Sequence, residues 1–193
     1  MKDEKIVLIT GASSGIGAAT VEKVIEAGHK VVITARSTEK LNAMVKKWGS
    51  DKVLAVTADV SKLDEITHVV EKAKETFGRI DVVFANAGTG VNSPGVENGD
   101  PDEWKTMLDV NINALLYTAK ASLPSLKETQ GQFIITSSVA GKITLKGSVY
   151  GASKWFAYGF GQNLAVEMRE WNGRCTTICP GMVNTPFFDE AKP

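Results

Sequence analysis

Short runs of consecutive apolar and β-branched residues alternate along the chain with longer stretches whose apolar positions recur every three or four residues. The short runs lie at residues 6–10, 31–34, 53–57, 80–85, 132–136 and 175–179. They are too short for helices and lack the in–out alternation of a half-exposed strand, so they predict strands apolar on both faces. The longer stretches predict helices at residues 16–27, 37–48, 62–77, 101–127 and 148–171. Gly28 suits the position just past a helix end, and Pro101 suits a first helical turn. Strand and helix in strict alternation predict an α/β fold: a doubly wound parallel sheet with helices on both faces, a three-layer sandwich. One long irregular stretch, residues 88–100, follows the fourth strand, where such folds carry binding loops.

The first strand-to-helix turn reads Thr10-Gly11-Ala12-Ser13-Ser14-Gly15-Ile16-Gly17. Gly11 permits a tight turn, Gly15 lets a pyrophosphate approach the backbone, and Gly17 lets the helix pack close to the sheet. The free N–H groups at the helix start favour phosphate. This context predicts a Rossmann-type dinucleotide site, and the absence of a following Gly-Lys-Ser/Thr argues against ATP hydrolysis. Where NAD-selective folds place a carboxylate, at the end of the second strand, this chain has Thr34-Ala35-Arg36-Ser37. Arg36 offers a guanidinium to a 2′-phosphate, with Ser13 and Ser37 as hydroxyl donors, which predicts NADP(H) over NAD(H).

Composition narrows the classes. The 193 residues fit one domain, and 43% hydrophobic content excludes disorder. Lys plus Arg equals Asp plus Glu at 22 each, which leaves no electrostatic footprint for nucleic acid or an anionic membrane. No apolar run reaches the ~18–20 residues of a membrane span, and the N-terminus Met1-Lys2-Asp3-Glu4-Lys5 carries no signal-peptide core, so a cytoplasmic protein is expected. The two cysteines, Cys175 and Cys179, share one predicted strand, too far apart along it for a disulfide, and read as buried thiols. No His, Asp or Glu cluster has metal-ligand spacing, and His29 and His68 read as solvated.

Tyr150-Gly-Ala-Ser-Lys154 places two side chains at i and i+4, hence on one helix face. A phenol with pKa near ~10 is a poor base at neutral pH, and an ammonium one turn away favours its ionised form. Such a pair can give or take a proton during hydride transfer.

The glycine spacing and the Tyr-x-x-x-Lys pair resemble the short-chain dehydrogenase/reductase family, and further motifs match in the family's order. Asp59-Val60 follows the third strand, where the family holds adenine. Asn86-Ala87-Gly88 follows the fourth, with Ala85 in place of the family's first Asn. Asn111, Ser138, Tyr150 and Lys154 match the catalytic tetrad, and Pro180-Gly181, Val183 and Thr185 match the stretch flanking the nicotinamide. The cofactor-binding set implied is Gly11, Ser13, Ser14, Gly15, Ile16, Gly17, Arg36, Asp59, Val60, Asn86, Ala87, Gly88, Tyr150, Lys154, Pro180, Gly181, Val183 and Thr185.

The resemblance covers nearly the whole chain. It implies that Lys154 also bonds the nicotinamide ribose, that Ser138 holds the substrate oxygen, and that the position of Asn111 holds a water for a proton relay. Ser138 precedes Tyr150 by 12 positions, a short interval for the family, so a tight intervening loop is expected; Ser137 is the neighbouring alternative.

The expected function is therefore an NADP(H)-dependent oxidoreductase interconverting a secondary alcohol and a ketone or aldehyde. The alternatives are a non-catalytic NADP-binding sensor or scaffold, and a non-redox enzyme on the same fold. Gly28-His29-Lys30-Val31 and Ala85-Asn86-Ala87-Gly88 faintly resemble members acting on small 3-hydroxy acids or on assorted carbonyls. The helix after Tyr150 is apolar nearly all round, as is the stretch at Leu115-Leu116-Tyr117, which predicts a homodimer or homotetramer through these helices. Family members usually continue past the Pro-Gly motif with a seventh strand and a substrate lid. A single catalytic domain over residues 1–193 without those parts is the expectation, with Phe187 and Phe188 as the start of an apolar lid.

Overall fold

The computed structural model describes residues 4–93 and 95–188. Met1 to Asp3, Pro94 and residues 189–193 lie outside the described residues, and with them the first N-terminal charges and the chain end. Six strands, β1 (Ile6–Thr10), β2 (Lys30–Ala35), β3 (Val53–Thr57), β4 (Val82–Ala85), β5 (Gln132–Thr136) and β6 (Arg174–Ile178), form one sheet in the order β3-β2-β1-β4-β5-β6. Every pairing is parallel. The helices are α1 (Gly15–Glu26), α2 (Thr38–Trp48), α3 (Leu63–Phe77), α4 (Pro101–Leu108), α5 (Ala114–Thr129) and α6 (Val149–Arg169).

Burial follows position in the sheet. β1 lies centrally and all five of its residues are buried. β6 is an edge strand, and Arg174 and Thr176 are exposed, so its apolar-on-both-faces expectation is not met. It also starts one residue earlier than predicted and leaves Cys179 outside. Both thiols are free and half-buried, and burial pushes Cys175 up to about 11. The core on one face joins α3, α5 and α6 to the sheet, and the core on the other joins α1 and α2 mainly to β1, β2 and β3.

Two elements differ from the sequence pattern for physical reasons. The fourth strand begins at Val82 because Asp81 is an anchor. Its carboxylate accepts the Ile6 N–H at 2.9 Å and Arg79 at 2.6 Å, and the residue is 5% exposed. The predicted helix at 101–127 is interrupted by a π-helical turn, Asp109–Asn113, which separates α4 from α5. Its apolar periodicity is continuous, so only the change of hydrogen-bond pattern marks the break. Asp100 caps α4 by accepting the Asp102 N–H at 2.9 Å.

The strand order reverses between β1 and β4, and helices leave β1 and β4 toward opposite faces. The crevice beyond their carboxyl ends is where a doubly wound sheet binds ligands.

Candidate active site

A cavity of about 540 Å³ opens at this crevice. Its floor is built by the turn after β1. Gly11 and Gly15 have φ of +63° and +52°, a region that a side chain rarely adopts. Gly17 does not line the cavity. It lies beneath the turn, and a Cβ there would run into the Gly11 carbonyl and the Asn86 amide, so this glycine serves close packing. The Ala12 N–H donates to the Thr34 carbonyl at 3.2 Å and ties the turn to β2.

Asn86 joins three strand ends. Its Nδ2 donates to the carbonyls of Thr10 at 3.2 Å and Gly11 at 3.4 Å, while its Oδ1 accepts Thr136 Oγ1 at 3.1 Å. The Thr10 hydroxyl accepts the N–H groups of Asn86 and Ala87, which fixes the start of the loop after β4.

At one end of the cavity stand Arg36, Ser37, Lys40, Asp59 and Val60. Ser37 caps α2. The Asp59 carboxylate accepts the Ser61 N–H at 3.0 Å and the Ser61 hydroxyl at 2.7 Å. Burial is the largest influence on Asp59 and raises its pKa, but the Ser61 bonds, Arg36 and Lys62 together hold it below the ordinary carboxylate value.

At the other end, Ser138 follows β5, and Tyr150 and Lys154 project from the first turns of α6. Ser148 caps that helix by accepting the Gly151 N–H at 2.9 Å. Lys154 is 5% exposed, and its Nζ donates to the Thr136 carbonyl at 3.2 Å. With no carboxylate beside it, burial lowers its pKa to about 8. Its Nζ lies 5.7 Å from the centre of the Tyr150 ring.

The expectation that Lys154 pulls the phenol down is corrected by the electrostatics of the protein itself. Burial raises the Tyr150 pKa, and the one opposing influence is the hydrogen bond with Ser138. Removing water from the phenolate costs more than the Ser138 bond returns.

Ser137 and Ser138 have separate environments. The Ser137 hydroxyl is buried and committed to the Lys154 carbonyl at 2.8 Å, whereas Ser138 faces Tyr150 and accepts the Ala140 N–H at 3.1 Å. The short connection to α6 is a 3₁₀ turn, Val139–Gly141, followed by exposed residues 142–147.

Asn111 lies in the π turn, 3% exposed and behind the main cavity. Its Oδ1 accepts the Thr89 N–H at 2.9 Å, and its Nδ2 donates to the Thr89 carbonyl at 2.9 Å and Ser153 Oγ at 3.0 Å. The side chain is thus occupied in tying the loop after β4 to α6. A second, small cavity lies between Thr10, Asn111, Thr118, Thr136 and Lys154.

The remaining sequence-derived positions also gather here. Ser13, Ser14, Ile16, Ala87, Gly88, Pro180, Gly181, Val183 and Thr185 line the main cavity. Thr185 closes over the glycine turn, 3.3 Å from where a Gly15 Cβ would stand. His29 instead accepts the Lys5 N–H at 3.2 Å, and His68 is exposed beside Glu71, away from the cavity.

Sequence reasoning missed Lys40, Thr89, Thr106, Val110 and Met182 as lining residues. Thr106 and Val110 stand at i and i+4 before Asn111, a spacing that only the location of Asn111 makes meaningful. Phe187 lines the cavity too, with its ring 6.1 Å from that of Tyr150. The backbone of Pro186–Phe188 forms a 3₁₀ turn at the mouth.

The glycine-lined floor and the cations at one end suit an elongated phosphate-bearing dinucleotide. Among the described residues no His/Cys/Asp/Glu cluster suits a metal, and no helix is long and apolar enough to cross a membrane.

Known proteins agree with this architecture. The family profile described as short chain dehydrogenase matches residues 5–193. An uncharacterized oxidoreductase of Staphylococcus saprophyticus is 40% identical over 189 residues, covering 95% of this chain and 80% of that protein. An alcohol dehydrogenase from the archaeon Thermococcus sibiricus, solved with 5-hydroxy-NADP, superposes with a TM-score of 0.91 at 31% identity, over 99% of this chain and 81% of that one. A 3-ketoacyl-(acyl-carrier-protein) reductase from Brucella melitensis, solved with NADH, gives 0.90 at 28% identity, over 96% and 78%. With a match along nearly its whole length, this chain belongs to the short-chain dehydrogenase/reductase family of oxidoreductases.

Proposed function

We propose that the protein is an NADP(H)-dependent oxidoreductase that interconverts a secondary alcohol and a ketone or aldehyde. The observation that carries this reading is the convergence of Ser138, Tyr150 and Lys154 on one end of a cavity whose other end holds Arg36 and Lys40. A bound nicotinamide dinucleotide supplies or accepts the hydride.

The protein's own residues do the rest. The glycine turn and the start of α1 hold the pyrophosphate, Asp59 and Val60 flank the adenine, and Arg36 pairs with the 2′-phosphate. Asn86, Ala87, Gly88, Pro180, Gly181, Val183 and Thr185 enclose the nicotinamide half, where Lys154 reaches the ribose.

Ser138 donates a hydrogen bond to the substrate oxygen. Tyr150 gives that oxygen its proton in reduction and removes it in oxidation. Its raised pKa keeps the phenol protonated at neutral pH, which favours the reducing direction. Lys154 lines both cavities, so it returns a proton to the phenol on the main-cavity side and takes one from a water held in the small cavity next to Asn111.

The exposed Trp155, Phe156 and Val166 on α6 support a homodimer through this helix, checked by sedimentation mass.

The deciding experiment is Tyr150→Phe. NADPH binding by calorimetry is expected to persist while carbonyl-dependent NADPH oxidation disappears. Residual turnover comparable with the parent would remove Tyr150 from the acid–base role, and NADPH binding with no turnover in the parent would favour a sensor instead.

A further inference from the structure

Charge is distributed unequally along the cavity. The charged lining residues are Arg36, Lys40, Asp59 and Lys154. Arg36 and Lys40 follow β2 and Asp59 follows β3, on the far side of β1 from β5 and α6. At the catalytic end the one cation lining the cavity, among the described residues, is Lys154. It is buried, directed at the Thr136 carbonyl and assigned above to the acid–base work.

The walls around Tyr150 are apolar. Val110, Val139, Met182 and Phe187 line them, with the neutral hydroxyls of Thr89 and Thr106 between. The Phe187 ring is inclined 52° to the Tyr150 ring and lies 3.7 Å from where a Gly90 Cβ would stand, so it forms a wall from the loop after β4 to the acid–base residue. The rim is mixed. Val96, Ile143 and Leu145 are exposed on two loops that meet where Gly147 abuts Gly95, with exposed Lys146 and with Lys142, whose ammonium sits over the Tyr158 ring, on the same loop, while Met182 is 91% exposed.

Among the described residues that line this end, a carboxylate would meet no arginine and no lysine other than the buried Lys154 to replace its water. A phenyl or alkyl group would be received by the Phe187 and Val139 walls.

We infer that the site selects uncharged carbonyl compounds bearing a bulky apolar substituent, and discriminates against oxo and hydroxy acids. This rests on the oxidoreductase reading above, and it separates the two substrate groups that the sequence left side by side.

The test compares ethyl benzoylformate with benzoylformate, and ethyl pyruvate with pyruvate, by kcat/KM for NADPH oxidation. The esters are expected to exceed the acids by at least about tenfold, the scale of an unpaired buried charge. Because the ketone beside an ester is also more electrophilic than the ketone beside a carboxylate, Thr106→Arg isolates the charge. It supplies the missing partner and is expected to shift the ester-to-acid ratio about tenfold toward the acid. Phe187→Ala is expected to raise KM for ethyl benzoylformate severalfold and to leave KM for ethyl pyruvate nearly unchanged.

Acids reduced as well as their esters, or a ratio that Thr106→Arg does not move, would overturn the selectivity alone. An absence of turnover with all four compounds despite NADPH binding would overturn the oxidoreductase reading, and this inference with it.

Discussion

The hydroxyl of Ser137 donates to the main-chain carbonyl of Lys154 at 2.8 Å, which joins the end of β5 to the turn of α6 that carries Lys154. In return, Lys154 Nζ donates to the carbonyl of Thr136. Adjacent serines thus divide two tasks, one positioning the helix and one facing Tyr150. Ser137→Ala is expected to lower stability by about 1 kcal/mol, the usual net worth of a buried hydrogen bond, with a modest loss of kcat. Ser138→Ala is expected to lower kcat by about two orders of magnitude with little change in stability. Denaturant melts and steady-state kinetics on both variants check this. Equal kcat losses would contradict the division.

Much of this arrangement was legible in the sequence because backbone chemistry fixed it locally. Gly11, Gly15 and Gly17 sit between a β-branched run and a helical pattern, and that context admits few folds. Tyr150 and Lys154 were legible because the helical repeat places i and i+4 together. The π turn at Asn111 was not, since a change in hydrogen-bond register leaves apolar spacing intact. Nor was the direction of the Tyr150 shift. Spacing reveals the nearby ammonium, but burial of the phenol depends on Phe187 and on residues distant in sequence. Met182 and Thr106 become lining residues only once β6 and α4 have been placed against the cavity.

Lys154 sets a cost in stability against its function. Its folded pKa of about 8 lies below the ordinary lysine value of 10.5, so between these values the unfolded chain binds more protons than the folded one. Stability therefore rises with pH across that window, and the burial cost is fully present below about pH 8. At roughly 1.4 kcal/mol per pH unit, the cost at neutral pH is on the order of 3 kcal/mol. Lys154→Met removes this cost and forfeits the bond to Thr136, worth about 1 kcal/mol. The variant is expected to be inactive yet more stable than the parent at pH 7, by about 2 kcal/mol. The gap is expected to narrow as the pH approaches 10.5. Thermal melts of the cofactor-free protein at pH 7 and at alkaline pH check it. A less stable variant at pH 7 would show that the ammonium is better solvated than its burial implies.

Arg36 and Lys40 flank the Ser37 cap at the start of α2, and both face the cavity. Two cations at one end are a natural match for the additional phosphate of NADP(H). Arg36→Ala is expected to weaken NADPH binding by about tenfold to a hundredfold, the range for losing a charge-assisted hydrogen bond, and to leave NADH nearly unaffected. Lys40→Ala is expected to act in the same direction but less strongly, since its single ammonium lacks the guanidinium's two-pronged geometry. Calorimetric titrations with both cofactors read the ratio directly. Equal affinity of the parent for NADPH and NADH, unchanged by Arg36→Ala, would remove the 2′-phosphate from this end of the cavity.

In the acid–base role proposed for it, Tyr150 ties the direction of reaction to pH. Reduction consumes a protonated phenol, and oxidation requires its ionised form. Because burial holds the phenol above its ordinary value of 10.0, the ionised fraction is small at neutral pH and grows roughly tenfold per pH unit until that value is passed. Alcohol oxidation is therefore expected to accelerate continuously from neutral into alkaline pH, while reduction shows no corresponding gain from this group. Initial rates in both directions across this range, with log kcat/KM plotted against pH, distinguish the outcomes. An oxidation plateau already reached at neutral pH would mean that the bound dinucleotide together with Lys154 overrides the burial of the phenol.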